Sequence, residues 1–204
     1  VLHHIDSAFA DLLRVVAGPG VDVRFAPPTG RAGAAAPVLS ALLHTVSEDT
    51  DNRLGGWVEE RDDHGRVVGR RAPVRRFQVG YLLAAWCADP VAEHELLGAV
   101  LTGLCARPAI GVDDLPEGLR LAGAPVHVDI ANPSLPRAPV ELRTRVGGPA
   151  RAALDVVLTA TWLPGVDTDL DPAPEEIGLG VGREVPRPPP RGPALPPPRA
   201  RIQE

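Results

Sequence analysis

The sequence predicts an α+β domain with a largely antiparallel or mixed sheet of five to seven strands and two main helices. A proline-rich C-terminal tail, extended or disordered, follows it. Three observations carry this expectation. Two stretches place apolar residues at helical spacing, one near the start and one between Pro90 and Arg107. Several runs between and after them alternate with period two or are apolar throughout, as strands do. After Leu163 all apolar periodicity stops, which divides the chain into a domain at 1–163 and a tail at 164–204.

Ile5, Phe9, Leu12, Leu13 and Val16 make one stripe of an opening helix, and Gly18-Pro19-Gly20 ends it. A short strand, VDVRF, starts at Val21 and leads into an APPTG turn and a stretch rich in glycine and alanine to about Ala36. Pro37–Glu48 is apolar on both faces and reads as a central strand covered on two sides. Trp57–Glu60 and Arg66–Arg70 read as the arms of a hairpin, and the RDDHG between them ends in a glycine suited to a left-handed turn position. From Arg75 a long strand sets Phe77, Val79, Tyr81, Leu83 and Ala85 on one face.

Asp89 then serves as N-cap and Pro90 as first helical residue. Glu93 and Glu95 near the start and Arg107 at the end suit the helix dipole. Leu96, Leu97, Val100, Leu101 and Leu104 form the buried stripe, and Pro108 stops the helix. Two strands with one buried face follow, at Val126–Ile130 and Leu154–Trp162. The tail holds 11 of the 24 prolines, is acidic in its first half and carries RPPPRGPALPPPRAR in its second. That composition favours polyproline II and buries too little to offset chain entropy.

About 160 residues suffice for a hydrophobic core without metal or disulfide. Cys87 and Cys105 lie in apolar runs and read as buried free thiols in a reducing compartment. All 21 cationic side chains are arginine. The net charge of −5 and the 3% aromatic content argue against a nucleic-acid partner. No apolar run approaches the ~20 residues of a membrane helix. The first residues carry Asp6 and Asp11 and do not read as a signal peptide, so cytoplasmic synthesis is expected.

Catalytic motifs fail on inspection. His94-Glu95 begins a zinc-protease motif, but Gly98 stands where the second histidine belongs. His3 and His4, as neighbours, should point apart, and His44 reads as a core or interface residue. Glu59-Glu60, Asp62-Asp63 and Asp113-Asp114 read as solvated charge, since a catalytic pair must converge across a cleft. The GLGVG at 178–182 lacks dinucleotide-loop spacing. No P-loop or nucleophile elbow occurs. The expectation is a protein that is not an enzyme and has no cofactor or metal. Arg70, Arg71, Arg75 and Arg76 form the one suggestive cluster, suited to carboxylates on a partner protein. With Trp57 on the hairpin, they are the candidate interface residues.

Several segments occur in a characteristic order: HHIDSAFADLLR, VDVRFAPPT, PVLSALLHTVSEDTDNR, GGWVEERDDHGRVVGRRAPVRRFQVGYLLAAWCADPVAEHELLGAVL, PVHVDIA and GGPARAALDVVLTATW. Together, over residues 2–163, they resemble the N-terminal domain family of the cap, or tube terminator, of extracellular contractile injection systems. These systems are phage-tail-like particles of the virulence-cassette type. The resemblance implies a structural end-piece that assembles as a homohexameric ring, closes the distal end of the inner tube and contacts the last sheath layer. It also implies a protein made in the cytoplasm and carried on the particle end. An adaptor in the same particle, recruiting another component through the proline-rich tail, is the alternative.

Overall fold

The computed structural model describes residues 1–26, 36–52, 55–139, 141–142 and 152–168. The body of the APPTG turn, most of the GRAGAAA stretch, GLGVG and the proline-rich segment lie outside the described residues.

Helix α1 (Leu2–Ala17) comes first, then strands β1 (Asp22–Arg24), β2 (Val38–Glu48), β3 (Val58–Arg61), β4 (Val67–Arg71) and β5 (Arg75–Trp86). Helix α2 (Pro90–Cys105), strand β6 (Ala109–Ile110), a 3-10 turn at Val112–Asp114 and the short helix α3 (Glu117–Arg120) follow. Strands β7 (Val126–Ile130), β8 (Ala153–Trp162) and β9 (Val166–Asp167) complete the described chain. The main sheet has six strands in the order β1-β2-β5-β8-β7-β6. Only β1 with β2 is parallel, so the sheet is mixed but largely antiparallel. A second sheet, β3-β4-β9, is antiparallel throughout. No described helix is long and apolar enough to cross a membrane.

The core is one layer of helices on one face of the main sheet. Ile5, Phe9 and Leu13 of α1 and Leu96, Leu97, Val100 and Leu104 of α2 meet Val79, Tyr81, Leu83 and Ala85 of β5. Val156 and Leu158 of β8 and Val126 and Val128 of β7 extend the same face. Tyr81 sits at the centre: its ring lies 5.0 Å from Phe9 and 5.8 Å from Phe25, and its hydroxyl donates to Asp6 Oδ1 at 2.7 Å. Burial and the neighbouring Asp6 carboxylate push the Tyr81 hydroxyl pKa well above its ordinary range. The opposite face is covered more lightly, where Ala138 and Leu142 pack on Leu82 and Ala84. Asp155 anchors that cover by accepting the Ala138 N–H at 2.9 Å.

The α2 start forms as its sequence dictates. Asp89 accepts the N–H groups of Val91 and Ala92 at 2.9 and 3.0 Å, with Pro90 as first helical residue. Gly18 and Gly20 both adopt positive φ after α1, where side chains are strained. Gly103 sets the spacing of the two helices: a Cβ there would lie 2.7 Å from Val16 Cβ.

Several expectations need correction. Cys105 is exposed at the end of α2; only Cys87 is buried, and neither forms a disulfide. Leu101 is only half-buried, whereas Glu93 is buried and accepts the Cys87 N–H at 3.4 Å, tying the helix to the end of β5. The rings of His3 and His4 do not diverge but lie 3.9 Å apart, with His4 packed on Gly118 of α3. β2 is buried on both faces only over Val38–Ala41; from Leu42 onward its residues are half-buried or exposed.

The two glycines of α2 should behave oppositely. Gly98 faces open space, so Gly98→Ala should stabilise by about 0.5–1 kcal/mol through lost chain entropy. Gly103→Leu should force α1 away at a cost of about 1–3 kcal/mol. Chemical denaturation of both variants checks the pair; equal shifts would show that the Val16 contact does not set the helix spacing.

Candidate subunit interface

The β3–β4 hairpin is organised by one carboxylate. Asp62 accepts the N–H groups of His64 and Arg66 through Oδ1, both at 2.9 Å, and Arg66 Nε through Oδ2 at 2.8 Å. Its backbone closes the turn with Arg66 and Gly65, and Gly65 takes φ 78° as its position requires. Arg61 crosses the turn to the Gly65 carbonyl at 2.7 Å and also pairs with Glu59. These donors, the Arg66 backbone N–H first, hold the Asp62 carboxyl below its ordinary 3.8. Part of the acidic run read as solvated charge therefore shapes the hairpin.

β9 completes this sheet because β4 carries Gly69 opposite it. A Cβ at Gly69 would lie 2.5 Å from Val166 Cγ1 and 3.2 Å from the Asp167 carbonyl oxygen. Residue pairing creates two rows across the three strands. Val58, Arg71 and Val166 form one, and Glu59, Arg70 and Asp167 the next. Successive rows face opposite ways, so one face bears alternating charge and the other bears valines around Arg71.

Strand alternation separates the arginines that sequence places together. Arg70 is exposed on the charged face, whereas Arg71 turns to the other face and pairs with Glu60 at 2.7 Å. In the main sheet Arg75 points to the helix-covered side and meets Glu48 at 3.4 Å. Arg76 points to the opposite face and is half-buried. Trp57 lies just before β3 and is 62% exposed. The candidate residues thus divide: Trp57 and Arg70 are open on the hairpin, Arg71 and Arg75 are engaged within the chain, and Arg76 stands apart on another sheet face. The exposed valines Val58, Val68 and Val166 went unremarked in the sequence. Their only signal was β-branched residues on strands too short to show a pattern.

Surface hollows lie elsewhere among the described residues. One of about 330 Å³ is lined by Leu12, Val15, Arg107 and Asp114, and another of about 360 Å³ by Val21, Cys87 and Leu96. A third, of about 250 Å³, is wholly apolar and lined by Val1, Leu2, Ile5, Val46, Phe77 and Trp162. Among the described residues no group of three or more His, Cys, Asp or Glu is placed to hold a metal ion. His94 is exposed on α2.

A six-stranded mixed sheet with two helices on one face and a small hairpin sheet beside it is a known arrangement. The family model described as the Pvc16 N-terminal domain matches residues 3–173, and the chain belongs to that family. Among solved structures, its fold is similar to the PVC sheath/tube terminator of an extracellular contractile injection system in the extended state. That match has TM-score 0.60 and 16% identity, over 91% of this chain and 64% of that one. It is also similar to the tube-terminating cap of the anti-feeding prophage, with TM-score 0.58 and 16% identity, over 87% of this chain and 60% of the other. The chain therefore spans somewhat under two thirds of the length of either protein. No curated protein sequence matches it.

Two outcomes test the hairpin. Gly69→Val should detach β9, seen as faster hydrogen exchange at Val166 and Asp167 with the main sheet unchanged. The Asp62 carboxylate, depressed in the fold, stabilises the turn fully above pH 3.8, and that contribution disappears as pH falls through its lower folded value. In an NMR titration the His64 and Arg66 amide shifts should move below pH 3.8; a midpoint at or above that value would contradict the assignment.

Proposed function

We propose that this domain is the structural cap of a contractile injection system, a ring of identical copies, six in number, that closes the distal end of the inner tube and contacts the last sheath layer. The observation that carries the reading is membership, over residues 3–173, in the Pvc16 N-terminal domain family. The similarity of fold to two tube terminators supports it. The role also sets a physical requirement. A growing tube end exposes an interface that would keep recruiting subunits, so a terminator needs a surface matching that end and none that repeats it. Such a role calls for interfaces and for no reacting groups. The protein on this reading is not an enzyme, takes no cofactor and does not bind nucleic acid or membrane. It is made in the cytoplasm and stays on the particle end.

Within the ring, Trp57 and Arg70 are the residues for contact with a neighbouring subunit or a sheath protein, an exposed aromatic beside an arginine being the usual composition of an interface centre. Arg76 belongs to a second contact, on the more lightly covered face of the main sheet. Arg71 and Arg75 hold the hairpin and the β2–β5 corner in place for those contacts.

Electron microscopy of particles from cells with and without the gene tests the role. Overlong or ragged tubes in the deletion, with a compact density missing from one end, are expected; particles of unchanged length with both ends intact would exclude it. In cells carrying Trp57→Ala with Arg70→Glu, the folded protein should no longer co-purify with tube and sheath. Retention at the wild-type level would remove these two residues from the interface.

A further inference from the structure

Two unlike surface features stand at opposite ends of the main sheet. β5 starts at Arg75, opposite Trp162 of β8, and the β3–β4 hairpin leads into it there. At the far end β1 and β2 begin where β5 stops, with Asp22, Val38 and Trp86 side by side in register. The 12 residues of β5 put these ends about 35 Å apart at ~3.3 Å per residue.

The hairpin end presents a knob. Trp57 is 62% exposed and stands two residues before Glu59, whose partner across the strands is Arg70. Strand alternation sets positions 57, 59 and 70 toward one face. Tryptophan and arginine are the residue types that most often anchor a protein contact, the ring in a pocket and the guanidinium on a carboxylate.

The far end presents a hole. Just past β5, Val21, Pro37, Ala88, Ala92 and Leu96 line a hollow of about 360 Å³, and Glu95 is the charged residue among its described lining. Ala88 and Glu95 are exposed. Val91, one turn before Glu95 on α2, is 66% exposed and extends the apolar rim. Neither Arg70 nor Glu95 has an ion-pair partner among the described residues. The hollow therefore offers apolar walls to an indole and a carboxylate to an arginine. Knob and hole sit on one chain, yet the length of β5 keeps them from meeting within it.

We propose that the Trp57 indole of one copy of this chain enters the hollow of the next, with Arg70 pairing to the partner subunit's Glu95. The contact joins two different patches, so it repeats head to tail and closes into a ring only if the turn per copy divides a full circle. It rests on the reading of Trp57 and Arg70 as interface residues, and it names a second copy, rather than a tube or sheath protein, as what they touch.

Sedimentation of the full chain over a range of concentrations tests the contact by charge exchange. The wild type should self-associate. Arg70→Glu and Glu95→Arg should each weaken that association by about tenfold while circular dichroism stays unchanged. Mixing the two variants should restore it, since each chain then meets the charge opposite to its own at both patches; the chain carrying both changes should also recover. Ala88→Trp, which fills the hollow without altering charge, should weaken association as well. Glu95→Gln should act in the same direction as Glu95→Arg, and it serves if that variant does not fold. A wild type that stays monomeric, single variants that associate as the wild type does, or no recovery on mixing overturns the proposal. Failure of this contact is distinguishable from failure of the cap reading. If particles lose Arg70→Glu but retain Glu95→Arg, the cap role stands and this contact falls. If mixing restores association while tubes from the deletion strain keep their normal length and both ends, the contact stands without the cap role.

Discussion

The structure depends on β5 being paired along both edges and buried on both faces. It meets β2 over one side and β8 over the other for nearly its full length. From Val79 to Ala85 every residue is buried. Burying one leucine or valine stabilises by about 1.5–3 kcal/mol, so Val79, Leu82 and Leu83 dominate the local balance. A slip of one residue would exchange Val79, Tyr81 and Leu83, which meet the helices, with Gly80, Leu82 and Ala84, which face the lighter cover. The register of this strand therefore fixes where both helices sit, where β2 bulges and where the hairpin leaves the sheet.

Much of this is legible in the sequence where one physical signal acts alone. α2 shows its cap, its first-turn proline and its buried stripe in one short stretch, and all three are found, the stripe without Leu101. β7 and β8 show alternation because one face is the more deeply buried, through Val126 and Val128 on β7 and Val156, Leu158 and Ala160 on β8. The two-residue strand β9 follows Pro164-Gly165 and carries no period at all; only Gly69, thirteen residues into the preceding hairpin region, makes room for it. Glu93 signals only a dipole charge in the sequence, which shows its place in a helix but not the Cys87 N–H that it accepts.

The candidate interface was less legible, for a reason that alternation supplies. Arg70-Arg71 and Arg75-Arg76 look like one basic patch as letters, yet adjacent residues in a strand must face apart. Each pair therefore splits, and one member of each finds a carboxylate within the chain. Trp57 and Arg70 remain open because the hairpin stands beside the main core. The bulge of β2 between Leu43 and Thr45 left a trace that could have been read: Leu39, Ala41 and Leu43 step by two, and the next residue on that face, Val46, comes after three.

The hydrogen bond from Tyr81 to Asp6 joins residues 75 positions apart. A ribosome adding ~5–20 residues per second delivers α1 roughly 4–15 seconds before the strand that receives it. Throughout that interval Ile5, Phe9 and Leu13 have no sheet to cover them, and the helix can only be provisional. The first segment of the chain thus waits for β5 before it can dock, and β7 and β8 join the sheet later still. The period of greatest exposure to misassociation falls during synthesis, before β5 has left the ribosome.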